Sequence, residues 1–545
     1  MMAQEIFVSI DAGTSVIKSV AFDADGNLLA STAEANRYRK TADGGFEQDM
    51  AATWEKTAAT VAAVLRRIPD AGRRVAALAV TGQGDGAWLV DRDNAPLGDA
   101  MLWLDTRAAG IVDALNANGA RAAAYRFTGT ALSACNQSAQ LAYLKREQPQ
   151  RLRRADCALH CKDWLYLNLT GVRATDPSEG VFTFGDFRSG EYADEVLEAF
   201  DLADCRRLLP PIVDGSRRTE PLTAAAAKLT GLKTGTPVSL GGVDVVCAAL
   251  GGGVRPPGDA FGCSVIGTTG MHIKMETGVK NLELGDAVSG YTMLVPGAPG
   301  AAMRMQSNMS ATLNLDWFAG LLAEAAAMFS TNAEGAEGAE GAGGAAESLQ
   351  RLDAAAAGAP PGDALFLPYI ESGERGPFLN ADARAQFSGL HSGIGIGALA
   401  RAVYEGVALA ARHCYQALGG APREVRPVGG GARSRALCDI FAHALNARVR
   451  PAPGPEPGAL GAGLLAAVAV GRFADLGEAC RAWVEPHFDA APGHAPDAAL
   501  CAHYDRLFDA YLAAANAAAP VWAKLAAVRR AGRTNVGDAG NGDAS

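Results

Sequence analysis

Short apolar runs separated by glycine-rich turns occur near the start of the chain and again near its middle. Residues 6–10 and 16–22 flank the first turn, Asp11-Ala12-Gly13-Thr14-Ser15, and residues 263–266 and 271–275 flank the second, Gly267-Thr268-Thr269-Gly270. Runs of this length around a tight turn predict two β-hairpins. Glycine and hydroxyl residues together expose backbone N–H groups and side-chain hydroxyls, to which phosphate oxygens bind. The repetition predicts two related lobes that bind one polyphosphate.

Asp11 is the only acidic residue in these two turns. A carboxylate beside a phosphate-binding turn predicts a ligand for Mg²⁺, an ion that retains most of its water molecules when proteins bind it. The alternative interpretation is an aspartate that caps the turn.

Strand patterns alternate with helix patterns along the first half of the chain. Helical periodicity covers residues 51–68 and 108–125, and short buried strands are predicted at 75–80, 87–90 and 238–240. This alternation predicts an α/β fold with layered helices and strands.

A further strand is predicted at residues 424–428. It leads through Gly430 and Gly431 to Ser434, where a helix begins that continues through Ala444. A helix N-terminus that follows a strand and a glycine turn binds anionic or nucleotide groups. The motif is not the G-x-G-x-x-G pattern of dinucleotide-binding folds.

Length and charge exclude several classes of protein. The chain has 545 residues, which is too many for one core, so we expect two domains of roughly 250 residues each. Acidic residues outnumber basic ones by 59 to 49 without a long basic run, so nucleic acid is not an expected partner. The apolar stretches are too short to span a membrane. A strand begins almost at the first residue, which predicts a cytoplasmic protein without a signal peptide.

The cysteines and two low-complexity segments give further predictions. The ten cysteines have no metal-binding spacing, which predicts reduced, buried thiols. Residues 332–346 repeat Ala, Glu and Gly, and we expect a surface loop there. Residues 529–545 are rich in Gly, Asn and Asp, which predicts a disordered tail.

Asp244 is the strongest candidate for a catalytic group. It follows the buried strand predicted at residues 238–240 and the turn Gly241-Gly242. A carboxylate just beyond such a strand projects towards a cleft. The alternative is a helix N-cap, a common position for aspartate.

Several ordered motifs resemble those of the FGGY carbohydrate kinases, members of the actin-like ATPase superfamily. The resemblance spans about residues 5–520 and rests on DAGTSVIKSVAFD, LWLDTR, CKDWLYLNLTG, GGVDVVCAALGGG, GTTG, FLPYIESGERGPFLNADARAQFSGL and GGGARSRALCDIFAHAL. Agreement of so many motifs in the same order by chance is negligible.

The resemblance implies two actin-like ATPase domains with ribonuclease-H-like cores and a central cleft, over residues 1–254 and 255–528. It implies ATP and Mg²⁺ as cofactors, with Asp244 as general base and Asp11 as metal ligand. The phosphate contacts are then Gly13, Thr14, Ser15, Gly267, Thr268 and Thr269, and the residues near the adenosine are Gly430, Gly431 and Ser434. The reaction is an in-line attack of a primary hydroxyl on the γ-phosphorus, catalysed mainly by positioning and charge neutralisation. A homodimer is left open.

The segment VTGQGDGAWLV indicates which acceptor substrate is expected. Glycerol kinases carry Arg-Glu and xylulokinases Met-His where this chain has Gly84-Asp85. We expect Asp85 to accept hydrogen bonds from two neighbouring hydroxyls, Gly84 to leave space and Gln83 to add a donor, while Trp103 offers an apolar wall. The segment is most similar to that of erythritol kinases, which implies erythritol as substrate. A ketopentose or pentitol (L-xylulose, D-xylulose or xylitol) is the alternative, and glycerol comes last.

Two other functional classes share the superfamily. Chaperones and filament proteins hydrolyse ATP without a small acceptor, and they have no use for an acceptor pocket formed by Gln83, Gly84 and Asp85 beside Asp244. A non-catalytic sugar sensor is expected to lose Asp11 or Asp244, and both are present.

Overall fold

The computed structural model describes residues 5–256, 260–285, 288–329, 342–371, 373–374, 376–452, 454, 456–489 and 493–538. Its strands are β1 (Ile6–Ala12), β2 (Val16–Asp23), β3 (Leu28–Ala35), β4 (Arg39–Lys40), β5 (Phe46–Gln48), β6 (Val75–Gly82), β7 (Trp88–Val90), β8 (Ala100–Met101), β9 (Cys157–Leu159), β10 (Gly185–Asp186), β11 (Glu191–Tyr192), β12 (Thr219–Pro221), β13 (Pro237–Leu240), β14 (Phe261–Ile266), β15 (Gly270–Thr277), β16 (Tyr291–Leu294), β17 (Ala301–Asn308), β18 (Leu365–Leu367), β19 (Gln386–Ser388), β20 (Glu424–Val428) and β21 (Arg448–Val449).

Helices alternate with these strands. They are α1 (Met50–Arg66), α2 (Ala71–Arg74), α3 (Ala109–Ala117), α4 (Ala120–Thr128), α5 (Gln137–Glu147), α6 (Pro149–Arg154), α7 (Cys161–Thr170), α8 (Pro177–Gly180), α9 (Asp194–Ala199), α10 (Ala224–Thr230), α11 (Asp244–Gly251), α12 (Thr312–Phe329), α13 (Ala342–Gly358), α14 (Ile396–Ala417), α15 (Arg435–Leu445), α16 (Pro457–Ala469), α17 (Leu476–Trp483), α18 (Glu485–Asp489) and α19 (Ala498–Asp538). Within the described ranges, no helix combines the length and hydropathy required to cross a membrane.

Two compact units are formed by interleaved segments of the chain. The first contains Met1–Phe261, Lys274–Arg304 and Ala452–Ala491, and the second contains Gly262–Ile273, Met305–Pro451 and Pro492–Ser545. This division differs from a single cut near residue 255, because α16 packs on α11 of the first unit. A Cβ added at Gly461 in α16 would lie 1.9 Å from the carbonyl oxygen of Cys247, so the two helix backbones are in direct contact.

The first unit is built on a six-stranded sheet with the order β12-β13-β6-β1-β2-β3. The first predicted hairpin is confirmed, because β1 and β2 pair in antiparallel register with Asp11 opposite Lys18. The strands β1, β6 and β13 are parallel neighbours. Both faces of β1 are buried, as its run of apolar residues predicts for a central strand.

The second unit has a sheet in which β17, β15, β14, β20 and β21 are successive neighbours. The hairpin formed by β14 and β15 confirms the second prediction. The core of this unit is formed by apolar side chains of α14, α15 and α19, among them Tyr404, Phe441 and Tyr511. The alternation of helices and strands confirms the α/β class.

Several local features differ from the sequence prediction. The expected helix over residues 108–125 is two helices, α3 and α4, because Gly119 takes a positive φ of 81° that ends the first one. Helix α13 begins at Ala342, inside the segment expected to be a surface loop, and residues 332–341 lie outside the described ranges. Helix α19 reaches Asp538 and so includes part of the expected tail, while residues 539–545 lie outside the described ranges. All ten cysteines are free, as expected.

Candidate active site

Three parallel strands of the first unit end at the same sheet edge, and a predicted site residue lies at or just beyond the end of each. Asp11 lies near the end of β1 and pairs with Thr81 of β6. Asp85 follows the end of β6, and Asp244 opens α11 after β13. The carboxyl edge of such a sheet is where α/β proteins bind ligands. The structure therefore brings together the three carboxylates that the sequence assigns to metal, acceptor and base.

Two of the carboxylates influence the ionisation of the third. Burial and the charges of Asp11 and Asp85 together raise the pKa of Asp244 to about 7, although the Val245 N–H donates to its carboxylate at 2.6 Å and lowers the pKa. Burial likewise raises the pKa of Asp11 to about 6, opposed by Lys18 and assisted by Glu456. Asp244 can therefore take up a proton near neutral pH, which a general base requires.

The surroundings of Asp11 fit a magnesium ion. Hard cations such as Mg²⁺ prefer carboxylate oxygens and water as ligands. The pKa of Asp11 is raised in a partly buried position close to Asp244, so a bound cation would relieve the crowding of negative charge. Gly458 keeps the carboxylate accessible, because a Cβ there would lie 2.7 Å from its Oδ2 atom. Asp11 is thus the residue that would hold the metal.

Residues predicted for phosphate and acceptor binding form one hydrogen-bonded chain. Trp103 Nε1 donates to Thr14 Oγ1 at 2.8 Å, and that hydroxyl donates to Gln83 Oε1 at 2.9 Å. Gln83 Nε2 in turn donates to Oε1 of Gln48 at 2.7 Å. Gln48, which the sequence analysis missed, also donates to the Thr14 carbonyl at 3.1 Å. The hairpin turn and the acceptor segment are therefore coupled.

The remaining residues of the first turn have different exposures. The Gly13 N–H donates to the Val16 carbonyl at 3.0 Å and closes the hairpin, so it is used by the turn itself. Ser15 is exposed, as expected for a ligand-binding hydroxyl.

Trp103 is 43% exposed, and its indole N–H already donates to the Thr14 hydroxyl. Its ring can serve as the predicted apolar wall while its N–H orients the turn.

Asp85 has an unusual backbone conformation and a well-defined partner. Its φ is +54°, which is uncommon for a residue other than glycine. Nδ2 of the buried Asn136 lies 3.0 Å from both carboxylate oxygens, and the Cys135 thiol is 3.9 Å from Oδ2. Burial still raises the pKa of Asp85 to about 7, although Asn136 lowers it. The sequence analysis missed Asn136, whose signal is an Asn directly before the helix α5.

A buried charged cluster lies behind Asp85. Lys162 Nζ is 2.6 Å from Asp163 Oδ1, 2.8 Å from Asp176 Oδ1 and 3.9 Å from Glu179 Oε2. His160 Nδ1 lies 3.0 Å from Asp163 Oδ2 and 3.4 Å from Glu179 Oε2. His160, Asp163 and Glu179 have the separations of a metal site, but the Lys162 ammonium already supplies the cationic charge there. The cluster is therefore an ion network rather than a metal centre.

Glu179 connects this network to the acceptor segment. Its Oε1 accepts a hydrogen bond from the Asp85 N–H at 2.9 Å. Its Oε2 makes no hydrogen bond within the described part of the chain. Burial raises the pKa of Glu179 to about 8, against the opposing charges of His160 and Lys162. Neither Glu179 nor the network was foreseen, although Lys162 and Asp163 belong to the motif CKDWLYLNLTG.

In the second unit, the predicted phosphate turn connects β14 and β15. The Gly267 N–H donates to the Thr269 carbonyl at 3.0 Å, and the Thr268 carbonyl accepts from the Ala311 N–H at 2.8 Å. The turn is thus held by its backbone, while Thr268 and Thr269 are exposed. Exposed hydroxyls on a rigid turn are suited to phosphate contacts.

The predicted adenosine residues border a cleft of about 440 Å³ in the same unit. Gly431 approaches the β14 end so closely that a Cβ would lie 2.4 Å from Ile266 Cγ2. Ser434 is the N-cap of α15, accepting from the Leu437 N–H at 3.0 Å and donating to Asp353. The cleft is lined by Thr312, Leu315, Asp316, Leu349, Gln350, Asp353, Tyr404, Gly430, Gly431, Arg433 and Ser434.

The Ser434 hydroxyl already bonds to the Leu437 N–H and to Asp353. Asp353, which the sequence analysis missed, lies on α13 and reaches the same cleft. A cleft of about 440 Å³ with a glycine backbone at its border can accept a nucleoside.

These features define a two-domain α/β phosphotransferase of the actin-like ATPase fold. The chain belongs to the FGGY family of carbohydrate kinases, whose N-terminal domain model matches residues 6–251 and whose C-terminal domain model matches residues 262–470.

Individual proteins extend the likeness over nearly the whole chain. It is 47% identical to an erythritol kinase from Brucella abortus, over 96% of this chain and 98% of the relative. It is 30% identical to a xylulose kinase from Escherichia coli, over 92% and 96% of the two chains. A xylulose kinase structure from Rhodospirillum rubrum has a TM-score of 0.81 at 26% identity, covering 95% of this chain and 100% of the other.

Proposed function

We propose that the chain transfers the γ-phosphoryl group of ATP to a primary hydroxyl of a small polyol, and that erythritol is the acceptor. The observation that carries the proposal is the grouping of Asp11, Asp85 and Asp244 at one sheet edge, where each has a raised pKa. The likeness to the erythritol kinase of Brucella abortus supports the same acceptor.

In this mechanism Asp244 is the general base. Its carboxylate accepts the proton of the acceptor hydroxyl while the hydroxyl oxygen forms a bond to the γ-phosphorus and the bond to ADP breaks. The Val245 N–H holds one carboxylate oxygen at 2.6 Å and so orients the base. Asp244 lies in a partly buried position in which it holds a proton more readily than an ordinary aspartate does.

Asp85 is the residue that recognises the acceptor. Asn136, the Cys135 thiol and the Gln137 backbone already engage this carboxylate, and we assign its remaining lone pairs to vicinal hydroxyls of the acceptor. Gln83 lies two residues before Asp85 and is linked to Trp103 through the Thr14 hydroxyl. A site that pairs hydroxyls rejects an analogue without them more strongly than it rejects an extra carbon.

Each unit contains residues proposed for nucleotide binding. Asp11 would hold Mg²⁺, which when bound neutralises charge on the phosphates. Gly13, Thr14, Ser15, Gly267, Thr268 and Thr269 are proposed to contact the phosphates. Gly430, Gly431 and Ser434 are proposed to border the adenosine. The Ser434 hydroxyl caps α15 and its N–H donates to the Gly431 carbonyl at 3.1 Å, so this residue shapes the border.

A coupled assay of ADP release tests the proposal. We expect erythritol to exceed glycerol, xylitol, D-xylulose and L-xylulose in kcat/KM, with strict dependence on Mg²⁺ and loss of turnover in Asp244→Asn. A ketopentose as best substrate would remove the erythritol assignment and leave the kinase assignment. ADP release that is independent of every acceptor would contradict the kinase assignment. A homodimer is checked separately by light scattering.

A further inference from the structure

Two consecutive residues of α8 each hold the backbone of a different predicted site loop. Ser178 Oγ accepts a hydrogen bond from the Val243 N–H at 3.0 Å, and Val243 directly precedes Asp244. Glu179 Oε1 accepts from the Asp85 N–H at 2.9 Å. Both side chains are buried. A short segment of chain thus contacts the loop of the proposed base and the loop of the acceptor-binding carboxylate.

This segment is anchored by buried charges. Asp176, the N-cap of α8, accepts from the Ser178 N–H at 2.7 Å, and its other oxygen lies 2.8 Å from Lys162 Nζ. Lys162 is also paired with Asp163 at 2.6 Å. Moving α8 would separate the buried charges of Asp176 and Lys162, which is strongly unfavourable. The helix is therefore a rigid reference for the two loops.

The loops also pack against each other without spare space. A Cβ at Gly84 would lie 2.5 Å from Val243 Cγ2 and 3.0 Å from Glu179 Oε1. A Cβ at Gly242 would lie 3.5 Å from Ser178 Oγ. Gly84 adjoins Asp85, and Val243 adjoins Asp244. A shift of the Ser178 or Glu179 side chain would therefore displace the loop that it contacts.

We propose that Ser178 and Glu179 form a bracket that sets the position of the base relative to the acceptor-binding carboxylate. In this α8 bracket, Ser178 is the positioning residue for Asp244, and Glu179 is the positioning residue for Asp85. The inference rests on the proposed function, since it assigns the two loops the roles of catalysis and acceptor recognition.

The two residues have separable consequences. Misplacing a catalytic group by about 1 Å costs roughly 10²-fold in rate. Such a loss applies to every acceptor, because the same base serves each. Releasing the Asp85 backbone from its positive φ instead changes how hydroxyls are paired, so it alters the ranking of acceptors. A residue that merely stabilised the fold would lower activity through the fraction of folded enzyme, and its loss would accelerate hydrogen exchange throughout the core rather than in one loop.

The first test replaces Ser178. Ser178→Ala should lower kcat by roughly 10- to 100-fold for erythritol and glycerol alike, with their ratio of kcat/KM within about twofold of wild type. Ser178→Thr retains the hydroxyl and should recover most of the rate. The KM for ATP should stay unchanged. A wild-type kcat in Ser178→Ala would overturn the assignment of Ser178.

The second test replaces Glu179. Glu179→Ala should raise the KM for erythritol and reduce its advantage over glycerol by at least about tenfold. Glu179→Gln retains an oxygen acceptor for the Asp85 N–H, so its preference should stay within about threefold of wild type. If Glu179→Ala preferred erythritol over glycerol as strongly as the wild type does, the assignment of Glu179 would be overturned. Glu179→Gln is the control variant that retains the hydrogen bond.

Matched controls come from buried residues outside the α8 bracket. Ser216 donates to Asp214 at 2.7 Å, and Glu405 accepts from the Gly362 N–H at 3.2 Å. Ser216→Ala removes one buried side-chain hydrogen bond, and Glu405→Ala also removes the contacts of Glu405 with Arg401 at 2.9 Å and Tyr504 at 2.8 Å. Both variants should change thermal stability without changing the acceptor ratio. If these controls changed the ratio as Glu179→Ala does, the effect would be structural and the proposal would fail.

Hydrogen exchange measured by mass spectrometry tests, independently of activity, whether Ser178 and Glu179 hold the two loops in place. Ser178→Ala should accelerate exchange in peptides covering residues 242–246, and Glu179→Ala should do so in peptides covering 83–86. If the wild type phosphorylated no polyol or ketose, the proposed function would fail, and this exchange pattern would still support the bracket. Uniform acceleration across both peptides in both variants would overturn it.

Discussion

The ionisation of Asp244 gives the sharpest test of the mechanism. The perturbation is Asp244→Asn, an isosteric change whose amide oxygen still accepts from the Val245 N–H, as the carboxylate does at 2.6 Å. The amide cannot take up a proton. Loss of general-base catalysis alone costs roughly 10²–10⁴-fold, and the loss of local negative charge adds to it. Binding of polyol and nucleotide should persist.

The pH profile of the wild type supplies a magnitude from the structure. A pKa of about 7 for Asp244 means that the base is about one tenth ionised at about pH 6 and about nine tenths ionised at about pH 8. We therefore expect kcat/KM for erythritol to rise roughly tenfold across that interval.

The assay is ADP release at saturating MgATP, from about pH 5.5 to about pH 9, with binding of both ligands measured by calorimetry. Asp85→Asn provides an internal check, because removing its negative charge should move the acid limb of the profile to lower pH. An acid limb below about pH 5, or an Asp244→Asn variant with more than about a tenth of wild-type kcat, would refute the assignment of the base.

Three further predictions follow from the same site. Asp85→Ala should erase most of the preference for erythritol over glycerol, which we expect to be at least about tenfold in the wild type; an unchanged ranking would contradict the role of Asp85. Asp11→Ala should raise the Mg²⁺ concentration needed for half-maximal rate and leave polyol affinity nearly intact, whereas a collapse of polyol affinity alone would contradict the metal assignment. Because Glu179 has a raised pKa of about 8 in the folded state, its stabilising effect is complete below the unfolded pKa and is lost as pH rises through 8. In urea denaturation between about pH 6 and about pH 9, the unfolding free energy of the wild type should fall by roughly 2 to 3 kcal/mol more than that of Glu179→Gln. If both proteins lost the same unfolding free energy over this interval, Glu179 would be ionised throughout it.

Local sequence was sufficient where the determining interactions are short in range. The hairpin at Asp11 was predicted correctly because apolar strands and a glycine turn specify it within about twenty residues. The strand at residues 424–428 and the helix after Ser434 were predicted for the same reason. The helix expected over 108–125 was wrong in one respect, because the interruption at Gly119 depends on one backbone conformation within an otherwise helical pattern.

The roles of individual polar residues were less predictable. The hydroxyl of Ser434 looked available for a nucleotide, but it caps its own helix and bonds to Asp353, 81 positions away in the chain. Asn136 and Glu179 carry no catalytic motif. They become part of the site only because folding places them within hydrogen-bond distance of Asp85.

The sequence by itself determined the class of fold, the two turns of glycine and hydroxyl residues and the candidate carboxylates Asp11, Asp85 and Asp244, since strand patterns, turn residues and ordered motifs are properties of contiguous segments. Only the tertiary structure decided how these carboxylates are held and in which direction their pKa values move. Parallel pairing of β1, β6 and β13 brings together residues separated by more than 200 positions. Burial and neighbouring charge then raise their pKa values, and both depend on the three-dimensional surroundings of a side chain rather than on its neighbours in sequence.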